Sequence, residues 1–161
     1  MIDNNLDYNT LVQRMYCLTL YNISPIQQGI QSLHAVVEYA NHYGDTPSYK
    51  RWANVDKTVI ILNGGSSISL ESHILNLKAI GVDLAVFREP DLFNGITAVG
   101  LLADERIWDR EKYPDRLPPL EPINGLTPAI HREFDLEFFK KSIGGEMNFQ
   151  LKEYLSKLKL A

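Results

Sequence analysis

The sequence predicts an α/β fold: a small mixed four-stranded sheet with helices packed on it, then a proline-rich and helical C-terminal extension. Three observations predict this. Between Met15 and Leu102, short runs of aromatic and aliphatic residues alternate with segments of helical periodicity. The last two runs are separated only by the turn-rich PDLFNG, so they read as a hairpin rather than as part of a doubly wound sheet. From Asp104 onward the character changes, and YPDRLPPLEPINGLTP (113–128) holds five of the eight prolines.

The elements follow in order. MYCLTLY (15–21) is the first strand. Residues 25–43 form the first helix: Ser24 is an N-cap before a proline at the first helical position, and Gln27 completes a capping box. Ile26, Ile30, Leu33 and Val37, spaced four, three and four, are expected to bury against the sheet. KTVIIL (57–62) is the second strand. SLESHILNLKAIG (69–81) is a helix with Leu70, Ile74, Leu77 and Ile80 on one face and Gly81 as its stop. The preceding Gly64-Gly65-Ser66-Ser67 lacks the lysine of a phosphate-binding loop and reads as a turn, with Ser67 or Ser69 capping the helix. VDLAVFRE (82–89) and ITAVGLLAD (96–104) are the third and fourth strands.

After the proline-rich crossing segment, DLEFFKKSI (135–143) and EMNFQLKEYLSKLKLA (146–161) read as helices parted by Gly144-Gly145. Met147, Leu151, Tyr154, Leu155 and Leu158 share one face of the last, which packs on the core or on a second subunit. The expected organisation is one domain over 1–161, with a core at 15–103 and an extension at 104–161.

Composition narrows the function. With 161 residues and 45% hydrophobic content the chain supports one sizeable core. A net charge of −4 and a pI near 5.5 provide no bulk basic field for a long nucleic acid, although a local basic patch remains open. Cys17 is the only cysteine, which excludes an internal disulfide and fits a reducing compartment. MIDNNLDYNT is too polar for a signal peptide, and the apolar runs fall far short of a membrane span. A cytoplasmic protein without membrane contact is expected. His34, His42, His73 and His131 lack zinc-ligand spacing, so neither a metal nor another cofactor is expected. The apolar C-terminal helices suggest a homodimer or larger assembly.

The first helix raises the functional question. Gln27, Gln31, His34 and Glu38 repeat at helical spacing beginning in its first turn. Two readings stand on the residues alone: capping by Gln27 with a solvated face beyond it, or a polar site. Gln31-Ser-Leu-His34-Ala35 after a first strand resembles the archaeal and eukaryotic, type 2, peptidyl-tRNA hydrolase family. Trp52 before KTVIIL, LKAIGVDLAVFRE, and EPDLFNGITAVGL continue the resemblance in order over roughly 16–102. It implies a site in which His34 and Glu89 are catalytic and Gln27, Gln31, Arg88, Asp91 and Thr97 bind the ligand. The family's catalytic lysine falls at Gln27, which supplies no cation. Glu89 stands at the place of an acidic residue in the family's Asp-Ala-Gly turn, and Thr97 matches a threonine of the final strand.

Three function classes follow. In the first, the resemblance implies a protein of that type repurposed to sequester or cleave a small nucleotide, phage-borne proteins acting on nucleotide immune signals being one setting for such reuse. Alternatively it hydrolyses the ester between a peptide and the tRNA 3′ end, or it is an interaction module without catalysis. The missing lysine and the acidic balance place the small nucleotide first.

Overall fold

The computed structural model describes residues 10–114 and 136–161. Its elements are β1 (Gln13–Thr19), α1 (Pro25–Tyr43), α2 (Pro47–Arg51), a π-helical turn (Trp52–Asp56), β2 (Thr58–Asn63), α3 (Ser67–Ile80), β3 (Leu84–Glu89), a 3-10 turn (Pro90–Leu92), β4 (Gly95–Asp104), α4 (Glu105–Trp108), α5 (136–142) and α6 (Glu146–Ser156). Among the described residues four strands form one mixed sheet in the order β2-β1-β4-β3. β1 runs parallel to β2 and antiparallel to β4, and β3 closes on β4 as the expected hairpin. The predicted class therefore holds. The proline-rich segment, from residue 115 onward, lies outside the described residues.

Strand alternation builds two layers. Tyr16, Leu18, Leu84, Val99 and Leu101 turn to one face and meet Leu70, Ile74 and Leu77 of α3 with Leu151 and Leu155 of α6. On the other face Met15, Cys17 and Ala85 meet Tyr39 of α1 and the buried Trp52. The stretch between α1 and β2, for which the sequence predicts no element, holds α2 and the π-turn. Their anchor is the Trp52 indole, which donates to the Thr58 carbonyl at 2.9 Å.

α1 corrects the expected packing. Ile26, Ile30, Leu33 and Val37 are 78%, 47%, 61% and 50% exposed, so the apolar stripe does not face the sheet. Ser32, Ala35 and Tyr39 are buried instead. The physical reason is closeness. A Cβ placed on Gly100 of β4 would lie 3.2 Å from the Ala35 carbonyl oxygen, so the helix backbone sits almost on the strand, where only small side chains fit. The fold class thus rests on strand pairing and not on that stripe.

Two smaller differences concern helix ends. Ser66 caps α3, accepting from the Ser69 amide, so the helix starts at Ser67 and neither Ser67 nor Ser69 is the cap. In α6 four of the five residues of the predicted stripe pack on the core: Leu151 and Leu155 are buried, Tyr154 and Leu158 pack against them, and the Tyr154 hydroxyl lies 2.5 Å from His73 Nδ1, whereas Met147 is left exposed. The C-terminal residues then cover the outer edge of β2. Leu160 bridges Leu62, and the Ala161 amide donates to the Ile61 carbonyl.

Candidate functional site

Three side chains from three elements meet where α1 crosses the open end of the β3–β4 hairpin. Gln31, in the second turn of α1, donates from Nε2 to Glu89 Oε2 at 2.8 Å and accepts at Oε1 from Thr97 Oγ1 at 2.5 Å. Because a carboxylate only accepts, this chain has one sense: hydroxyl to amide oxygen, amide nitrogen to carboxylate. Thr97 reaches Gln31 through a bulge. Phe87 stands opposite Ala98 and Arg88 opposite Ile96, so Thr97 is the extra residue of β4. It is 1% exposed, and Gln31 and Glu89 are half-buried.

His34 lies one turn beyond Gln31. Its ring stacks on Phe87 with centroids 4.4 Å apart and planes 17° from parallel. The imidazole is otherwise exposed, and its nitrogens make no hydrogen bond among the described residues. Phe87 and Glu89, two apart on β3, share a face, so Phe87 sets the imidazole plane beside the carboxylate. Glu89 Oε1 is likewise without a hydrogen bond among the described residues. The structure thus presents a fixed carboxylate with one available oxygen beside an exposed aromatic ring with two ring nitrogens.

The other candidate residues are not brought to this point. Gln27 is spent on capping: its amide nitrogen on the backbone donates to Ser24 Oγ, and its side-chain oxygen accepts from the Ser24 amide. Pro25 has no N–H, so the start of α1 offers an anion little. Arg88 points away by alternation and donates to the Asn94 carbonyl at 3.1 Å, holding the hairpin tip. Asp91 sits exposed in the 3-10 turn, and among the described residues Glu38 makes no ion pair or hydrogen bond with His34.

Two residues that the sequence reading missed join the site region. Phe87 reads as a core position, and only its spacing of two from Glu89 signals a shared face. Phe93 is fully exposed at the hairpin tip in the left-handed region (φ 54), as is Asn94 (φ 58). A bulky residue held there costs of order 1 kcal/mol, and such strain concentrates at ligand-contacting loops. At the same end of the sheet, Thr19, paired with Ala98, keeps a buried hydroxyl without a hydrogen-bond partner among the described residues.

Cys17 is no nucleophile. It is fully buried under α1, its thiol donates to the Ser32 carbonyl, and burial pushes its pKa up to about 12. Among the described residues no group of three or more His, Cys, Asp or Glu side chains gathers as metal ligands, and no helix is long and apolar enough to cross a membrane. Compared with family models and with curated proteins, the sequence matches none.

Proposed function

We propose that the Gln31–His34–Glu89–Thr97 face binds a small nucleotide, as a relative of the type 2 peptidyl-tRNA hydrolases turned to a new ligand. The observation that carries the reading is Gln31 held from both ends, which fixes Glu89 beside the exposed ring of His34. A nucleobase stacks on the outward imidazole face, while Glu89 Oε1 accepts from a sugar hydroxyl or an exocyclic amine. Gln31 is a positioning residue here, since both ends of its amide are already used.

If the ligand carries an ester or phosphoester, the same carboxylate orients a water and takes its proton as the water oxygen attacks the carbonyl carbon or phosphorus; the C–O or P–O bond to the leaving group breaks, and the leaving oxygen takes a proton from solvent. Sequestration without cleavage needs only the stacking and the hydrogen bond. Peptidyl-tRNA ester hydrolysis remains the second reading, favoured by Gln31 bonded to Glu89 and by His34, the two motif residues from which the family resemblance starts. Against it stands the missing cation: Gln27 replaces the lysine and Arg88 is held on Asn94.

The test is calorimetric titration with mono-, di- and cyclic nucleotides beside a peptidyl-tRNA hydrolysis assay. Saturable nucleotide binding supports the proposal. Robust ester hydrolysis with no nucleotide binding reverses the ranking, and silence in both leaves an interaction module.

A further inference from the structure

A cavity of about 280 Å³ lies at the opposite end of the sheet from the Gln31–Glu89 face, where β1 begins and β4 ends. The end of α3 and the start of α6 close it from the side. Val82, Leu102, Ile107 and Leu151 give it apolar walls, and Gln13, Asp83 and Asn148 give it oxygens. Gln13 and Asn148 are only 3% and 5% exposed, an unusual depth for side-chain amides.

The hydrogen bonds fix which way each amide faces. Gln13 Nε2 donates to the Leu11 carbonyl at 3.2 Å, and Asn148 Nδ2 donates to the Ile143 carbonyl at 2.6 Å. A carbonyl only accepts, so in each case the nitrogen turns to the protein and the oxygen is left over. Neither oxygen accepts a hydrogen bond among the described residues, and neither is sealed within the packing. Both therefore open into the cavity they line. The charges divide in the same way. Arg106, the one cation among the lining residues, is forked onto Asp104, with Nε on Oδ1 at 2.9 Å and Nη2 on Oδ2 at 2.7 Å. The Asp83 carboxylate makes no ion pair or hydrogen bond among the described residues. Its charge reaches inward: burial raises the pKa of the Tyr39 phenol on the cavity wall, and Asp83 raises it further.

We infer that this cavity binds a small aliphatic amine, with its ammonium on Asp83 and its hydrocarbon chain on the apolar walls. Oxygens without donors require a ligand that donates, and an uncompensated carboxylate requires a cation. The Gln13 and Asn148 oxygens accept the ligand's remaining N–H groups, from the same ammonium or from a second one at the far end of a diamine. A hard metal ion fits less well, because it needs oxygens on every side and much of this lining is hydrocarbon. The volume suits a chain of a few carbons and not a drug-sized molecule. The site shares no residue with the Gln31–His34–Glu89–Thr97 face and stands or falls separately from it.

The experiment is a titration of the full chain at neutral pH with n-butylamine and with the four-carbon diamine putrescine. Sodium chloride at matched ionic strength and n-butanol, which carries no charge, are the controls. The readout is the NMR signal of the methionine methyl groups. The chain has three methionines, of which Met147 lines the cavity and Met15 is buried in the sheet, and Met147→Leu identifies the signal to follow. Either amine is expected to move the Met147 signal saturably and to leave that of Met15 in place. Butanol should bind more weakly by about tenfold or more, and Asp83→Asn should weaken amine binding by a similar factor, as for losing one charge-assisted bond. Gln13→Leu and Asn148→Leu should also weaken it. Asp83 is exposed, so its variant decides the matter if those two fail to fold. Tighter binding of putrescine assigns a second ammonium to the amide oxygens, and tighter binding of butylamine a single one. The inference is overturned by a Met147 signal that moves no further than in chloride. Butanol binding as tightly as butylamine, or unchanged amine binding in folded Asp83→Asn, overturns it equally.

Discussion

Gln31 carries no reactive group, yet it joins Thr97 to Glu89 and thereby decides where the carboxylate stands. The division of labour among neighbours follows. Glu89 and His34 keep polar atoms available, so His34→Ala and Glu89→Ala are each expected to lose roughly 1–3 kcal/mol of nucleotide affinity with the fold intact, the scale of removing one polar partner from a partly buried site. Calorimetry on folded variants checks this, and unchanged affinity in both would move the ligand elsewhere. At this scale much was legible. Of the residues named from sequence, Gln31, Glu89 and Thr97 are joined in one hydrogen-bonded chain, with His34 one turn further along α1. The misassigned residues share one cause: their side chains have local duties. Gln27 is consumed by the cap it forms, and Arg88 by the turn it closes, and a spacing argument does not count such bonds.

Among the elements, α1 decides the geometry of the site because its distance from β4 sets the reach of Gln31. Gly100 allows that distance. Gly100→Ala is expected to push the helix outward and cost roughly 1–3 kcal/mol, the usual range for overpacking. Chemical denaturation measures the loss, and nucleotide affinity should fall with it. Unchanged stability would show that the contact yields easily. The start and length of α1 were readable because Ser24, Pro25 and Gln27 form a local signal. Its buried face was not, because that is chosen by a glycine on another strand.

The stripe left outside has its own consequence. Ile26, Ile30, Leu33 and Val37 repeat as a two-stranded coiled-coil seam does, and the 4-3-4 spacing is symmetric about its midpoint. An antiparallel copy would set Ile30 against Leu33 and Ile26 against Val37. Glu38 is the only formal charge in the 19 residues of α1, so no like charges oppose one another along such a seam. We propose that the homodimer suggested by the sequence forms through α1 and not through α6, whose apolar stripe is already packed on the core. Light scattering should give twice the 18.3 kDa chain mass at high concentration, and Leu33→Glu should return the monomer without loss of melting temperature. A monomer at every concentration contradicts this.

On the scale of the whole molecule, the α3–α6 layer ties the C-terminal region to the sheet, and His73 is its titratable link. Burial lowers the His73 pKa, so the folded state favours the neutral ring that meets Tyr154. With the folded value below the unfolded one, this contribution is complete above the ordinary histidine value of about 6.5 and is lost as pH falls through the folded value. Denaturation midpoints should therefore drop on acidification below about pH 6.5 more steeply in the parent than in His73→Gln. Equal slopes would remove His73 from the pH dependence. The sequence made the layers legible through strand and helix periods. It concealed the contact that joins them, because His73 and Tyr154 lie far apart in the chain and meet only through the packing of α3 on α6.

The most direct test of the nucleotide reading is to map the ligand's footprint. The tightest-binding nucleotide from the calorimetric panel is added to nitrogen-labelled protein, and the side-chain amide pair of Gln31 is followed with the backbone amides of His34, Phe87 and Glu89. Binding on this face is predicted to shift these resonances together and saturably, and to leave the indole of Trp52 unchanged. A nucleotide that binds while the Gln31, His34 and Glu89 signals stay fixed would contradict the assignment of the site.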